Sequence, residues 1–176
     1  MNRQLPSREQ SLKLLIEHNC SNYVINHCIA VTNFALDIAE KLQFKGLKID
    51  LQLVEAGAML HDLGRSETHT VNHSLVGVQI AQKIGLPISV INIIKRHVGA
   101  GITSKEAELL GWPKDNYIPQ TLEEKVVCYA DKLINHDSVE SVDVEIAKLQ
   151  KQGMFEAAER VSKLHEEIIG LIGEQI

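Results

Sequence analysis

Apolar side chains recur every three to four residues along most of the chain, which is the period of an amphipathic helix. In YVINHCIAVTNFALDIAEKLQF this pattern places one set of residues on a single buried face: Val24, His27 or Cys28, Val31, Ala35, Ile38 and Leu42. The run VVCYA at 126–130 is the most β-like stretch, but a helix cap precedes it. The pattern therefore predicts an all-α fold of about seven to nine helices, without a convincing strand.

Capping residues and glycines set the expected helix ends. Ser7 with Gln10, and Thr121 with Glu124, have the spacing of capping boxes. The predicted helices run from Ser7 to about Glu17, from Ser21 or Asn22 to Gly46, from Asp50 to Gly64, from Asn72 through HSLVGVQIAQKIG, from Pro87 to Gly99, over about 104–110, from Thr121 through LEEKVVCYADKLINH, and over 141–152 and 154–170. The segment GWPKDNYIPQ, with two prolines, is expected to be a loop.

Composition narrows the class of protein. The 176 residues are 44% hydrophobic and only 4% aromatic, so Leu, Ile, Val and Ala must fill the core, as is typical of helical proteins. No repeat or linker divides the chain, which predicts a single domain over residues 1–176. The N-terminus has no signal-peptide pattern, and no apolar run approaches the roughly 18 residues of a membrane span. We therefore expect a cytoplasmic protein without a membrane partner.

The charge pattern limits the partners. The net charge is −5, and the sequence has no basic stripe, which argues against binding to duplex nucleic acid. A small phosphorylated ligand needs only one or two local cations and stays open. The three cysteines, Cys20, Cys28 and Cys128, are an odd number without a C-x-x-C pair, so we expect small buried side chains rather than a disulfide framework.

The stretch MLHDLGRSETHTVNHS at 59–74 ends an apolar helix with an imidazole and a carboxylate, His61 and Asp62. Neighbours on a helix point about 100° apart, so these two cannot stack on one face, but both can hold one ion near the helix end. His27 and Asp131 also fall on or beside apolar faces, where a carboxylate is costly unless a positive charge compensates it.

His73 and His97 lie at predicted helix ends, next to loops where sites are often built. A lone histidine on an apolar face, such as His27, is more often a hydrogen-bonded core residue than a ligand. Six nitrogen and oxygen donors from five predicted helices, however, have a common explanation in a metal site.

The order His27, His61-Asp62, Asp131 resembles the HD superfamily of metal-dependent phosphohydrolases, and most of all its small stand-alone members. AMLHDLGR resembles the HDIG variant of that family, with Leu63 for the usual Ile and Arg65 for the usual Lys. NHSLVGVQIAQKIGLPISVINIIKRHVG looks like the segment that supplies further histidines in two-metal members, and TLEEKVVCYADKLI looks like the last family helix. The resemblance covers about residues 20–137, followed by C-terminal packing helices over about 140–176, which leave a homodimer open.

The resemblance implies an HD-domain-like helical bundle that hydrolyses a nucleotide or another small phosphoester through a metal-activated water. It implies a first metal held by four ligands: His27, His61, Asp62 and Asp131. Asp62 would bridge to a second metal with the further ligands His73 and His97. Imidazole-rich donor sets favour Fe, Mn, Ni, Co or Zn, with Mg also possible. Two such cations, about 3.5–4 Å apart, can hold both the attacking and the leaving oxygen of a phosphoryl transfer.

Three cations are candidate contacts for a substrate phosphate: Arg65, Arg96 and Lys132. For Arg96 and Lys132 the alternative of a plain surface charge stays open. Three roles stay open for His69: a substrate contact, a proton donor to the leaving oxygen, or an ordinary loop histidine. The candidate catalytic residues are thus Asp62, Arg65 and His69. Two other interpretations stay open: a non-catalytic HD module that binds a nucleotide and signals to a partner, and a helical bundle whose histidines are structural. Retention of all six ligands favours the enzyme.

Overall fold

A computed structural model describes residues 4–135 and 138–173. Within these ranges the chain forms nine α-helices: α1 (Arg8–Glu17), α2 (Asn22–Phe44), α3 (Leu51–Leu60), α4 (His73–Ile84), α5 (Ile88–Arg96), α6 (Ser104–Leu109), α7 (Leu122–Leu133), α8 (Val142–Lys151) and α9 (Phe155–Ile172). Two 3₁₀ turns, Leu63–Ser66 and Val98–Ala100, follow α3 and α5. The prediction of an all-α fold is confirmed.

Helix α1 begins with the predicted capping box. The Ser7 hydroxyl accepts a hydrogen bond from the Gln10 backbone N–H, and the Gln10 side chain accepts one from the Ser7 N–H. Ser21 and Asp50 likewise cap α2 and α3 through their side chains. These helix starts are therefore decided by residues within one turn of the helix end.

Two other predicted caps are used differently. Asn72 precedes α4, but its side-chain oxygen accepts a hydrogen bond from Trp112 rather than from its own helix. Thr121 does cap α7, yet Glu124 does not complete the predicted capping box, because its carboxylate accepts from Arg96 and from the Gln120 N–H. In both cases a side chain distant in sequence, Trp112 or Arg96, donates to an oxygen of the expected cap.

The end of α7 also differs from the prediction. The helix was expected to continue through His136, but it ends at Leu133. The described residues that follow form a short antiparallel pair of strands, β1 (Ile134–Asn135) and β2 (Ser138–Val139), so the expectation of no convincing strand is wrong. Ile134 is β-branched and extended, and the Glu140 N–H donates to the Leu133 carbonyl oxygen beside this pair. His136 lies outside the described residues.

The long helix α2 contributes to two buried clusters. Its C-terminal part, including Val31, Ile38 and Leu42, packs into a cluster shared with α3, α7 and α9. Its N-terminal part, with Val24 and Cys28, packs into a second cluster with residues of α1, α3, α4 and α5. The C-terminal helices α8 and α9 add to the first cluster. None of the described helices is both long and apolar enough to cross a bilayer.

The three cysteines are free and buried, as predicted. Burial raises the pKa of Cys20 to about 11 and that of Cys128 to about 12. Neither thiol is therefore a ready nucleophile at neutral pH.

One close approach fixes how α3 is followed by α4. A Cβ atom on Gly64 would lie 1.9 Å from the backbone oxygen of His73 and 2.5 Å from the backbone nitrogen of Gly77. Only a glycine lets the Leu63–Ser66 turn lie this close to α4. The contact brings Asp62, at the end of α3, beside His73, at the start of α4.

Candidate metal centre

The six predicted ligands meet in one place. They come from five helices or their ends: His27 from α2, His61 and Asp62 from the end of α3, His73 from α4, His97 from the end of α5, and Asp131 from α7. The relative exposure of His61, Asp62, His73 and His97 is at most 3%. His27 and Asp131 lie at the partly exposed rim. We call the four buried side chains the floor of the cluster, and solvent reaches the cluster from the side of His27 and Asp131.

The two carboxylate oxygens of Asp62 face different groups of histidines. Oδ1 lies 3.1 Å from Nε2 of His73 and 3.5 Å from Nε2 of His97. Oδ2 lies 3.7 Å from Nε2 of His61 and 3.9 Å from Nε2 of His27. Asp62 therefore stands between two donor groups.

The remaining carboxylate, Asp131, belongs to the group around His27 and His61. Its Oδ1 lies 3.0 Å from Nε2 of His27 and 3.4 Å from Nε2 of His61. We call His27, His61, Asp131 and the Oδ2 atom of Asp62 the first subsite. We call His73, His97 and the Oδ1 atom of Asp62 the second subsite.

Three histidines have their tautomer set by their own backbone. Nδ1 of His61, His73 and His97 lies 2.7, 2.7 and 2.8 Å from the carbonyl oxygen of the residue three positions earlier. A ring nitrogen so close to a carbonyl oxygen must carry the proton. Nε2 of each neutral ring then carries no proton, and its lone pair points into the cluster.

This arrangement of lone pairs fits a cation. Nε2 of His61 is buried without a hydrogen-bond partner among the described residues. Nε2 of His73 and Nε2 of His97 face each other at 2.9 Å. Buried acceptors without a donor are costly, and a divalent ion at each subsite would satisfy them. Four imidazoles and two carboxylates are donors that suit Fe, Mn, Co, Ni or Zn.

The charges of the ligands agree with this. Burial alone would raise the pKa of Asp62, but a positive charge at His61 outweighs it and holds the pKa well below its usual range. Burial opposes ionisation of Asp131 too, yet Lys132, His27 and His61 keep its pKa well below normal. Both carboxylates are therefore ionised at neutral pH, the form that binds metal.

The histidines differ in their attraction for a positive charge. Burial lowers the pKa of His97 to about 4, so this ring is uncharged at pH 7 and its Nε2 can bind a metal ion. Burial would lower the pKa of His61 as well, but Asp62 and Asp131 outweigh it and raise the pKa. The first subsite thus attracts a positive charge to Nε2 of His61, whether that charge is a proton or a metal ion.

Two of the three predicted phosphate contacts lie at the rim. Nε of Arg65 is 2.6 Å from Oδ2 of Asp62, and the side chain is 30% exposed. Nζ of Lys132 is 2.9 Å from Oδ2 of Asp131, the oxygen that the histidines do not share. Both side chains are therefore beside the ligands and in reach of solvent.

The third cation, Arg96, is held by the fold. Its Nη1 lies 2.7 Å from the Glu124 carboxylate, and its Nε donates to the Asn116 carbonyl oxygen. Arg96 is 9% exposed, and Glu124 is 4% exposed. Because the Glu124 carboxylate and the Asn116 carbonyl oxygen already accept these hydrogen bonds, we do not propose Arg96 as a substrate contact. The sequence indicated Glu124 only as a cap, because nothing local shows that Arg96 reaches it.

The catalytic role of His69 stays a prediction. It is exposed in the segment between α3 and α4, which connects ligands of both subsites. The other described histidine with a clear partner, His165, hydrogen-bonds the Tyr129 hydroxyl at 2.7 Å and serves the packing of α7 against α9.

Replacing His97 with alanine should remove the second subsite and spare the first. His97 contributes one of the three donor atoms of the second subsite, whereas four donors of the first subsite stay in place. We expect metal content to fall from two ions per chain to about one, with an unchanged helical circular dichroism spectrum. Elemental analysis measures this, with His18→Ala, outside the cluster, as the matched control. Two ions retained in His97→Ala would contradict the assignment.

Comparison with known proteins adds a family and several relatives. The model of the HD domain matches residues 24–136. A tRNA (cytidine(56)-2'-O)-methyltransferase of Thermoplasma volcanium is 38% identical over 172 residues, which are 98% of this chain and 49% of that protein. The chain thus spans about half the length of such relatives. An uncharacterized protein of Methanocaldococcus jannaschii is 39% identical over 166 residues, covering 93% of this chain and 98% of that one.

Among solved structures, the HD domain of the L. monocytogenes phosphodiesterase PgpH, in complex with cyclic-di-AMP, is similar in fold. The TM-score is 0.57 with 17% sequence identity, over 94% of this chain and 98% of that chain. At this identity the likeness concerns the fold alone.

Proposed function

The chain belongs to the HD-domain family, and from this premise we propose that it is a metal-dependent phosphohydrolase acting on a nucleotide or another small phosphoester. The observation that carries the proposal is the position of Asp62, whose two oxygens each face a separate group of imidazole lone pairs. Bound there, divalent cations would supply an activated water and a positive clamp for the phosphoryl oxygens.

The chain supplies the ligands and the surroundings of that chemistry. The first subsite would hold one ion, the second subsite the other, and Asp62 would bind both. Because the floor of the cluster is buried, interactions between charges there are stronger than in water. The open side at His27 and Asp131 is where a phosphate would enter.

Arg65 is the phosphate contact that we propose. Its guanidinium lies at the rim, partly exposed, and forms an ion pair with the Asp62 oxygen that faces the first subsite. A planar fork with several donors can hold two phosphate oxygens together. Lys132 is a second candidate, and its ion pair with Asp131 also helps to position that carboxylate. We propose exposed His69 as a proton donor to the leaving oxygen.

The named relatives support a substrate that contains a nucleotide. The PgpH domain binds a cyclic dinucleotide, and the Thermoplasma relative modifies tRNA. We assign the methyl transfer of that relative to the half of its length that this chain does not match. This chain, which corresponds to the other half, carries imidazoles and carboxylates around a common centre, and these suit cations rather than a methyl donor.

The same relatives favour a second candidate, a non-catalytic module. In a protein twice as long, an HD-type half can bind a nucleotide and serve the enzymatic half without hydrolysing anything. Binding and turnover separate the two candidates.

The test is a screen of phosphoesters with the purified chain. Mn, Fe, Co, Ni, Zn and Mg are added in turn to nucleoside monophosphates, cyclic dinucleotides, dinucleoside polyphosphates and short oligoribonucleotides. Turnover that a chelator abolishes, and that Asp62→Asn lacks, supports the hydrolase. Tight binding of a nucleotide without turnover supports the module. Neither binding nor turnover with a metal-loaded chain would contradict both.

Removing the Arg65 side chain should weaken the handling of phosphate while leaving the metals bound. Arginine is always protonated and cannot be a ligand. A charge-assisted hydrogen bond contributes about 1.5–3 kcal/mol, so Arg65→Ala should lower kcat/KM about tenfold or more. Arg65→Lys should lie between wild type and alanine, because it keeps the charge without the fork.

The measurement is kcat/KM on the best substrate of the screen, with metal content determined in parallel. Arg8→Ala, which removes a partly exposed arginine at the start of α1, is the matched control. Full activity in Arg65→Ala would place the phosphate cation at Lys132 instead.

A further inference from the structure

We propose that the segment 112–120, which joins α6 to α7, positions the second subsite by holding the residue before each of its two histidines. The inference rests on the proposed two-ion centre and concerns how the chain aims His73 and His97. The sequence indicated only a loop with two prolines here. The structure gives this loop contacts with Asn72 and Arg96.

The first contact reaches the residue before His73. The Trp112 ring N–H donates to the side-chain oxygen of Asn72 at 2.7 Å, and Trp112 is 7% exposed. Asn72 stands where a capping side chain would bond its own helix, but α4 begins without such a bond. The Asn72 oxygen therefore ties the start of α4 to the segment instead.

The second contact reaches the residue before His97. Arg96 donates to the Asn116 carbonyl oxygen at 3.2 Å and to the Glu124 carboxylate at 2.7 Å. The other oxygen of Glu124 accepts from the Gln120 N–H at 2.7 Å. The middle of the segment, at Asn116, and its C-terminal end, at Gln120, thus take part in holding Arg96. Since this ion pair is buried, loss of either partner would leave an uncompensated charge and move the end of α5.

The segment can act as a brace because it is held internally. The rings of Trp112 and Tyr117 pack edge to face with centroids 4.9 Å apart. The Tyr117 hydroxyl donates to the Pro113 carbonyl oxygen, and the Tyr117 carbonyl accepts from the Ile102 N–H. These contacts stabilise a segment that has no helix or strand of its own.

The consequence is selective for the second subsite. Nε2 of His73 and Nε2 of His97 must converge on Oδ1 of Asp62, and each is carried by a helix end that the segment holds. Of the first-subsite ligands, His27 and His61 lie on α2 and α3, where neither Trp112 nor Asn72 makes a hydrogen bond that the structure describes. Trp112 and Asn72 are thus positioning residues for one metal ion rather than for the fold as a whole.

The test is a titration of the full chain with Co²⁺, followed by its visible absorption. Wild type should take up two equivalents. Trp112→Phe and Asn72→Ala should each weaken the second equivalent about tenfold and leave the first unchanged, since loss of an indirect support for a ligand costs about 10–100-fold in affinity. The double variant should bind no more weakly than the weaker single variant, because both changes remove the same bond.

The matched control is Lys114→Ala, which changes an exposed side chain of the same segment and removes no hydrogen bond that the structure describes. It should bind both equivalents as wild type does. If Trp112→Phe does not fold, the exposed Asn72→Ala still decides the question.

Equal weakening of both equivalents, or an unchanged second equivalent in Asn72→Ala, overturns the inference. If wild type itself binds a single equivalent, the proposed two-ion centre falls with it. Two equivalents in wild type and in every variant would refute the positioning role alone.

Discussion

The substitution Asp62→Asn should cost the protein both metal ions at once. Each oxygen of this carboxylate faces a different subsite, and the side chain is 2% exposed. An amide keeps one oxygen but presents an N–H₂ donor to the other group of lone pairs, and it removes the negative charge from both subsites. Two cations that stabilise a phosphoryl transfer contribute several kcal/mol, so turnover should fall by about a thousandfold.

The measurement is metal content by elemental analysis together with kcat/KM on the substrate from the screen. Asp37→Asn removes the same charge from an exposed position of α2 and should change neither quantity. Together with His97→Ala, the variant forms a graded series in which loss of one ion and loss of both are separate results. A full equivalent of metal left in Asp62→Asn would show that this carboxylate does not bridge.

The substitution Gly64→Ala should have the largest effect on stability. The new methyl group would meet the backbone of His73 at 1.9 Å and that of Gly77 at 2.5 Å, and backbone atoms cannot turn aside as the end of a side chain can. The turn after α3 and the helix α4 must separate, at a cost on the order of 3 kcal/mol. The same movement draws His73 away from Asp62, so the second subsite should lose its metal first.

Urea unfolding in the presence of a chelator measures this cost without a contribution from bound metal. Gly170→Ala is the matched control, because a Cβ at this position of α9 meets no atom within 4 Å. It should stabilise the chain by about 0.5–1 kcal/mol. A stability of Gly64→Ala within about 0.5 kcal/mol of wild type would mean that the turn and α4 are not in the contact described.

What could be predicted from the sequence is what neighbours within one helical turn decide. The Ser7 cap, the long apolar face of α2 and the ends of most helices depend on residues three or four positions apart. The six predicted ligands were also visible, because several interrupt an apolar pattern and the others lie at the start or end of a helix. Their convergence was an expectation from the family resemblance, and the structure brings all six together.

What could not be predicted depends on partners far along the chain. Asn72 and Glu124 have the chemistry of good caps, and no local feature shows that Trp112 or Arg96 takes their oxygens. Arg96 was therefore predicted to contact phosphate, whereas in the structure its guanidinium forms a buried ion pair with Glu124. The division of the ligands into two subsites likewise depends on which oxygen of Asp62 faces which ring, and this is a matter of distances alone.

Because Nδ1 donates to a carbonyl three residues earlier, the ring orientation of His61, His73 and His97 is set in each case within four consecutive residues. Metal-binding histidines often have their second nitrogen held by a carboxylate or another group elsewhere in the protein, so ligand and support must be inherited or designed together. Here four consecutive residues at a helix end carry both the donor and its orientation. Such a unit could be moved to another helical scaffold unchanged, and the scaffold would only have to aim it.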